Sequence, residues 1–221
     1  MENVTISCDV ALAGGGLSAG LIAYALATRH PELSVYIVEQ GEKLGGNHVW
    51  SFFDSDVAPE DRWLVEPFIC HRWHGYDVDF PQLRRTLNAV YNSIESDRLD
   101  AVLRKTLPAE RILRAQVTHL SQSHIHLADE RTLAARCVID ARGPGDLSLL
   151  KAGWQKFVGQ ALTVAGGHGL TRPIVMDATV DQRDGYRFVY CLPFDAETVF
   201  VEDTYYSDTP DLDVPAIRNR I

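Results

Sequence analysis

An apolar run ending at Leu12 gives way to Ala13-Gly14-Gly15-Gly16-Leu17-Ser18-Ala19-Gly20, and helix-forming residues then continue to Arg29. A strand that turns through glycines straight into a helix is the opening of a β-α-β unit in a parallel sheet. Gly14 permits the tight turn and Gly16 lets backbone amides approach a pyrophosphate, while Ala19 with Gly20 allows the helix to pack closely on the strand. Gly15, Leu17 and Ser18 complete the loop, where the helix N-terminus presents the positive end of its dipole. The next apolar run, Ser34 to Glu39, ends in a carboxylate about 20 residues further on, placed to accept the ribose hydroxyls of an adenosine and to disfavour a 2′-phosphate. Glycines alone suit any strand-to-helix turn. With the acidic partner in place the segment reads as a dinucleotide site for FAD or NAD.

At 221 residues, 46% apolar and 23% charged, the chain has the composition of a soluble globular protein with a sizeable core. A formal charge of −9 with no cluster of Lys and Arg argues against a nucleic-acid surface and against binding to anionic lipid headgroups. Cys8, Cys70, Cys137 and Cys191 form no C-x-x-C pair and read as reduced, buried thiols of a cytoplasmic protein. The apolar stretch Leu17 to Ala27 lacks a basic leader, so it reads as the first helix and not as an export signal.

The pattern predicts an α/β fold, with a dinucleotide-binding domain over 1–150 and the start of an antiparallel, substrate-facing sheet over 151–221. Strand one should cover Ser7 to Leu12 and helix one Leu17 to Arg29, with Leu17, Leu21, Tyr24 and Ala25 on its apolar face. The segment to Asn92 is aromatic but shows no sustained period. Ser96 or Asp97 can cap a helix whose inward face is Leu99, Val102, Leu103 and Leu107, stopped by Pro108. Short strands follow at Val117 to Leu120, His124 to Leu127, Thr132 to Ala134 and Arg136 to Asp140, then at Ile174 to Met176, Tyr186 to Tyr190 and Val199 to Glu202. A parallel nucleotide fold normally needs more strands than these, so the chain reads as an incomplete, N-terminal piece.

Six motifs carry a resemblance over nearly the whole chain: Gly14-x-Gly16-Leu17, Gly45-Gly46-Asn47-His48-x-Trp50-Ser51-Phe52, Val138-Ile139-Asp140-x-Arg142-Gly143, Met176 to Gln182, Gly185 to Tyr190 and Glu202-Asp203-Thr204. Together they resemble the bacterial flavoprotein lycopene β-cyclases of carotenoid synthesis. The resemblance implies a glutathione-reductase-like, Rossmann-type flavin fold, FAD in its reduced form as cofactor, NAD(P)H as the flavin's reductant, and lycopene or a related linear carotene as substrate. It implies no net redox change: the ψ-ends of lycopene close to β-rings by protonation and deprotonation, an isomerase reaction. It also implies a cytoplasmic protein attached peripherally to the inner membrane. Where the resemblance implies a carboxylate after Gly159-Gln160, this chain has Ala161.

Such chemistry needs an acid, a base and a cation stabiliser. By resemblance Glu202 and Asp203 are the acid-base candidates, against the plainer reading of a solvated strand end. On a regular strand the two point to opposite faces, Glu202 with Phe200 and Asp203 with Val199 and Val201. Arg98 aligns with an arginine that contacts the flavin nucleotide in related folds, or is a surface residue. Gly46 and Asn47 line the cofactor, or form a plain turn. Asp140 and Gly143, with Arg142, sit at a strand's carboxyl end where nucleotide sites collect, or cap it with a salt bridge. Tyr186, Phe188 and Tyr190 alternate on one face, fit for a flat polyene or for a core. Asp177 with Asp181, His71 with His74 and His124 with His126 have ligand-like spacings but no completing residues, so no metal is expected. Two other readings compete: a flavin-dependent monooxygenase or reductase of a lipid-like substrate, and an inactive nucleotide-binding module.

Overall fold

The computed structural model describes residues 4–221, which divide into two compact units built from interleaved segments. The first gathers residues up to Ser51, Asp56–Cys70 and Ser93–Leu147; the second gathers Phe52–Ser55, His71–Asn92 and Ser148–Ile221. These units are discontinuous in sequence, unlike a contiguous division into 1–150 and 151–221. Residues 52–55 and 71–92 belong with the C-terminal half, because Tyr76–Phe80 pairs in parallel with Ile174–Asp177. A pairing so distant in sequence leaves no local signal.

In the first unit the sheet order is Ile112–Arg114, Val35–Glu39, Thr5–Ala13, Thr132–Asp140, His124–Leu127, Val117–Leu120. The first four strands run parallel and the last two are antiparallel additions. Ala11, Leu12, Ala13, Val35, Ile37 and Val38 are almost wholly buried, as expected of parallel strands covered on both faces. Thr132–Ala134 and Arg136–Asp140, anticipated as separate strands, form one strand that pairs with Thr5–Ala13 along its whole length. Its first residues also pair with His124–Leu127. Asp9 and Ser34 clasp the first two strands: the Ser34 amide and hydroxyl donate to Asp9 Oδ2 at 2.9 and 2.7 Å. These bonds, with one from Arg136, lower the Asp9 pKa to about 2.

The helix Leu17–Arg29 has the anticipated span but buries a different face, through Ala19, Gly20 and Ala23. Small residues admit the closest approach, and the larger Leu17, Leu21 and Tyr24 lie at its half-buried margins. A Cβ on Gly20 would stand 2.9 Å from Leu99 Cδ1 and 3.0 Å from Leu103 Cδ1. That glycine therefore serves packing against the helix Ser96–Thr106, not against the strand. The latter helix turns Leu99 and Leu103 inward as expected, but its N-cap is Glu95 without a side-chain bond. Ser96, one of the two expected caps, instead lies inside the helix and donates its amide to the His48 carbonyl at 3.0 Å. Cys8 is buried, whereas Cys70 and Cys137 are exposed, against the expectation of uniformly buried thiols.

The second unit is a sheet ordered Trp154–Thr163, Thr198–Ser207, Tyr186–Pro193, Ile174–Asp177, Tyr76–Phe80, Leu83–Leu87. It is antiparallel except where Tyr76–Phe80 meets Ile174–Asp177. One face of its long central strands is closed by the helix Val214–Arg218, capped by Asp213 through the Ala216 amide at 3.0 Å. Ile217 of that helix packs on Val158 and Tyr205.

Candidate functional site

At the carboxyl ends of the parallel strands of the first unit lies a cleft of about 470 Å³. Gly14 has φ +98°, and a Cβ there would stand 2.6 Å from the Ala141 carbonyl oxygen, so only glycine fits this turn. Gly16 is the N-cap of its helix in extended backbone and brings no side-chain cap, leaving the first-turn amides open. A Cβ on Gly16 would meet nothing within 4 Å. Open amides at a helix N-terminus beside free space are what a pyrophosphate requires, so these residues fit a dinucleotide.

Of the residues singled out from the sequence, Gly14, Gly15, Gly16, Leu17, Ser18, Glu39, Gly46 and Gly143 line this cleft. Both Glu39 oxygens already accept backbone amides: Oε2 from Gly15 and Oε1 from Gly41, each at 2.7 Å. The carboxylate thus braces the glycine loop, and each oxygen keeps a lone pair for a ribose hydroxyl. Asn47 is exposed and stands outside the lining. Gly20 is committed to helix packing. Asp140 is bound to Arg142 through two bonds of 2.8 Å, and this guanidinium, foremost, holds its carboxyl below the usual carboxylate range. The strand-end salt bridge is therefore present, and it is Arg142, not Asp140, that borders the cleft. Arg98 donates to the Pro67 carbonyl at 2.8 Å and borders a separate hollow with Tyr24 and Val102. His48 and Trp50, not singled out as lining residues, flank the cleft with ring centroids 5.5 Å apart. Their x-spaced aromatic pattern after Gly45-Gly46 was the available signal.

In the second unit Glu202 and Asp203 lie mid-strand in Thr198–Ser207, with opposite fates. Asp203 has a side chain only 1% exposed. It accepts two bonds from Arg187, at 2.7 and 3.0 Å, and one from the Tyr205 hydroxyl at 2.8 Å. Glu202 faces the other side, where the Thr204 hydroxyl donates to its Oε1 at 2.8 Å. Burial pushes the Glu202 carboxyl above the usual range, with the Thr204 bond opposing.

Residues paired directly across an antiparallel ladder share a face. Glu202 is paired with Tyr190 on one side and Gly159 on the other. Phe200 lies so close over Gly159 that a Cβ there would overlap its ring. From Phe200 a chain of ring contacts leads back to Tyr190. Phe200 stacks near Phe194 at 6.0 Å, Phe194 on His71 at 4.2 Å, His71 near Trp73 at 5.6 Å and Trp73 near Tyr91 at 6.4 Å. Tyr91 meets Tyr190 hydroxyl to hydroxyl at 2.9 Å. Glu202 thus shares its sheet face with Tyr190 and Phe200, the two ends of this aromatic cluster. Ala161, paired with Phe200, contributes no carboxylate to this face.

A family model described as lycopene cyclase protein matches residues 9–221. The chain belongs to the lycopene cyclase family. It is 43% identical over 213 residues to the lycopene beta-cyclase of Pseudescherichia vulneris, covering 96% of this chain and 55% of that protein. The lycopene beta-cyclase of Pantoea ananas is 38% identical over 213 residues, covering 96% of this chain and 56% of the relative. The chain therefore spans about half the length of the curated family members it matches. Among solved structures, pqsL, a probable FAD-dependent monooxygenase from Pseudomonas aeruginosa, superposes with a TM-score of 0.65 at 15% identity, covering 97% of this chain and 66% of that one. The p-nitrophenol 4-monooxygenase PnpA from Pseudomonas putida DLL-E4 gives 0.65 at 15% identity, covering 98% and 61%. At such identities the likeness is one of fold, the mixed α/β architecture shared with flavin enzymes.

Proposed function

We propose that the whole protein is a lycopene β-cyclase, that its glycine-loop cleft holds FAD, and that Glu202 is the acid-base residue. The observation that supports this most directly is the desolvated Glu202 carboxyl between Tyr190 and Phe200, in a chain of the lycopene cyclase family. A carboxyl kept protonated by an apolar surround can protonate an alkene, which water-exposed acids do poorly. Glu202 gives its proton to the terminal double bond, leaving a tertiary carbocation. The neighbouring double bond attacks that centre, forming the carbon–carbon bond that closes the ring and moving the charge within it. A ring proton then leaves to the Glu202 carboxylate, restoring the double bond and the acid. Protons and electrons balance without a redox step, so the reaction is that of an intramolecular lyase. Ring faces such as that of Tyr190 stabilise the passing cation. When bound and reduced, the flavin supplies compensating negative charge, and reduced nicotinamide serves only to reduce it.

Asp203 is assigned a structural role, because its carboxylate is saturated by Arg187 and Tyr205 on the other face of the strand. Among the described residues no helix is long and apolar enough to cross a membrane. Because a linear carotene dissolves in lipid, we assign the whole protein a peripheral attachment on the cytoplasmic side of the inner membrane. Expression of the full-length protein in lycopene-producing cells, as wild type, Glu202→Gln and Asp203→Asn, tests the assignment by pigment analysis. Loss of ring products with Glu202→Gln supports it, and unchanged pigments reject it. The monooxygenase-like fold favours one competing reading, flavin-dependent hydroxylation, which steady nicotinamide oxidation in proportion to product would establish instead.

A further inference from the structure

The sheet face that carries Glu202 does not end at the aromatic cluster. Toward the other end of the same strands, register places Phe157, Tyr206, Tyr186 and Phe188 on this face, Phe157 opposite Thr204 and Tyr186 opposite Tyr206. Phe157 is 47% exposed, Tyr206 43% and Tyr186 40%, while Phe188 is buried behind them with ring centroids 5.8 Å from Tyr206 and 6.1 Å from Tyr186. Tyr186 and Tyr206 stack at 6.2 Å with planes 17° apart, and the Tyr186 hydroxyl rests on Met176 Sδ at 3.4 Å. From Glu202 toward this end, every other residue that the register places on the same face of the three strands is uncharged. The opposite face differs sharply. It is closed by the helix Val214–Arg218 and holds the Arg187–Asp203 pair.

The geometry points to a second subsite: the band Phe157–Tyr206–Tyr186 receives the distal arm of the linear polyene whose end group reacts at Glu202. This rests on reading Glu202 as the acid. Three features select that occupant. The strand rises about 3.3 Å per residue, so the band reaches about 13 Å beyond Glu202, along the direction that a rod leaving the acid must follow. Gly159, paired with Glu202, lets the Phe200 ring lie across the strand where cluster and band meet. The rings offer flat, uncharged surface to a flat, uncharged chain. The acid thus stands where a dense cluster able to enclose an end ring gives way to an exposed track for the rest of the molecule.

The test uses the full-length, flavin-loaded protein and two substrates with the same ψ-end, a full-length linear carotene and a polyene of half its length, in defined lipid vesicles. Phe157→Ser and Tyr206→Ser should raise KM for the long substrate about tenfold, with kcat little changed, and leave KM for the short one within twofold. Phe157→Leu should lie between, and flavin content with melting temperature reports whether each variant is folded. Equal effects on both substrates, or none on either, overturn the subsite. So does a change confined to vesicle binding or to oligomeric state, which would assign the band to lipid or to another copy of the chain. Glu202→Gln run alongside tests the underlying reading independently: if it cyclises both substrates, the acid assignment fails whatever the band variants do.

Discussion

Arg187 meets Asp203 through two parallel bonds, Nε to Oδ1 at 2.7 Å and Nη2 to Oδ2 at 3.0 Å, with side chains 9% and 1% exposed. Removing one partner leaves a buried, uncompensated charge. Asp203→Asn is therefore expected to destabilise the protein by about 3–5 kcal/mol. The double replacement Arg187→Met with Asp203→Leu should recover much of that loss. Denaturant unfolding of the three variants decides it: equal stability of Asp203→Asn and wild type would show the pair to be idle.

Glu202 should leave two independent signatures. Glu202→Gln is expected to lower cyclisation by at least about 100-fold, the usual range for a general acid. Its folded-state pKa is raised by burial, so the unfolded chain loses the proton first as pH increases. Stability then falls as pH rises from the unfolded value through the folded one. The glutamine variant carries no such proton. Melting temperatures across that window should decline less steeply for Glu202→Gln than for wild type, and parallel curves would contradict the burial argument.

Two glycines of the same loop should respond differently to one methyl group. Gly14→Ala forces a left-handed backbone on alanine and a contact with Ala141, costing about 1–3 kcal/mol. Gly16→Ala meets no neighbour and has ordinary backbone angles, so its melting temperature should hold while flavin retention drops. Thermal unfolding of the apoprotein, with the flavin content of the purified protein, separates the two effects. Full flavin retention by Gly16→Ala would place the pyrophosphate elsewhere.

At acid pH the clasp between Asp9 and Ser34 should fail. The Asp9 pKa is depressed to about 2 in the fold, chiefly by the Ser34 amide, so its contribution is present above the unfolded value and fades as pH falls toward 2. Asp9→Asn should unfold less steeply with acid over that interval, measured by circular dichroism. An unchanged acid transition would dismiss the clasp.

Local chemistry made the glycine turn, the helix it opens and the buried strand ending at Glu39 legible, because each is written within a few adjacent residues. The opposed faces of Glu202 and Asp203 also follow from the two-residue period of a strand. What stayed hidden depends on distant partners. Gly20 answers to Leu99 and Leu103 across a helix pair, and Arg98 turns to the Pro67 carbonyl instead of the cleft. The helix buries alanines in place of leucines because close approach outweighed hydrophobic size. Tyr91, Trp73 and His71, in a segment without periodicity, join the surroundings of Glu202 only through strands from elsewhere in the chain.

The interleaving of the two units has a consequence for synthesis on the ribosome. The hairpin Tyr76–Phe80 with Leu83–Leu87 is complete long before its parallel neighbour Ile174–Asp177 is translated. At ordinary elongation rates the delay is roughly 5 to 20 seconds, during which an unpaired strand edge hangs from the nascent chain. Vectorial folding of this protein therefore includes a waiting period, and a chaperone that shields that edge should raise the yield of native molecules more than one that acts on the released chain.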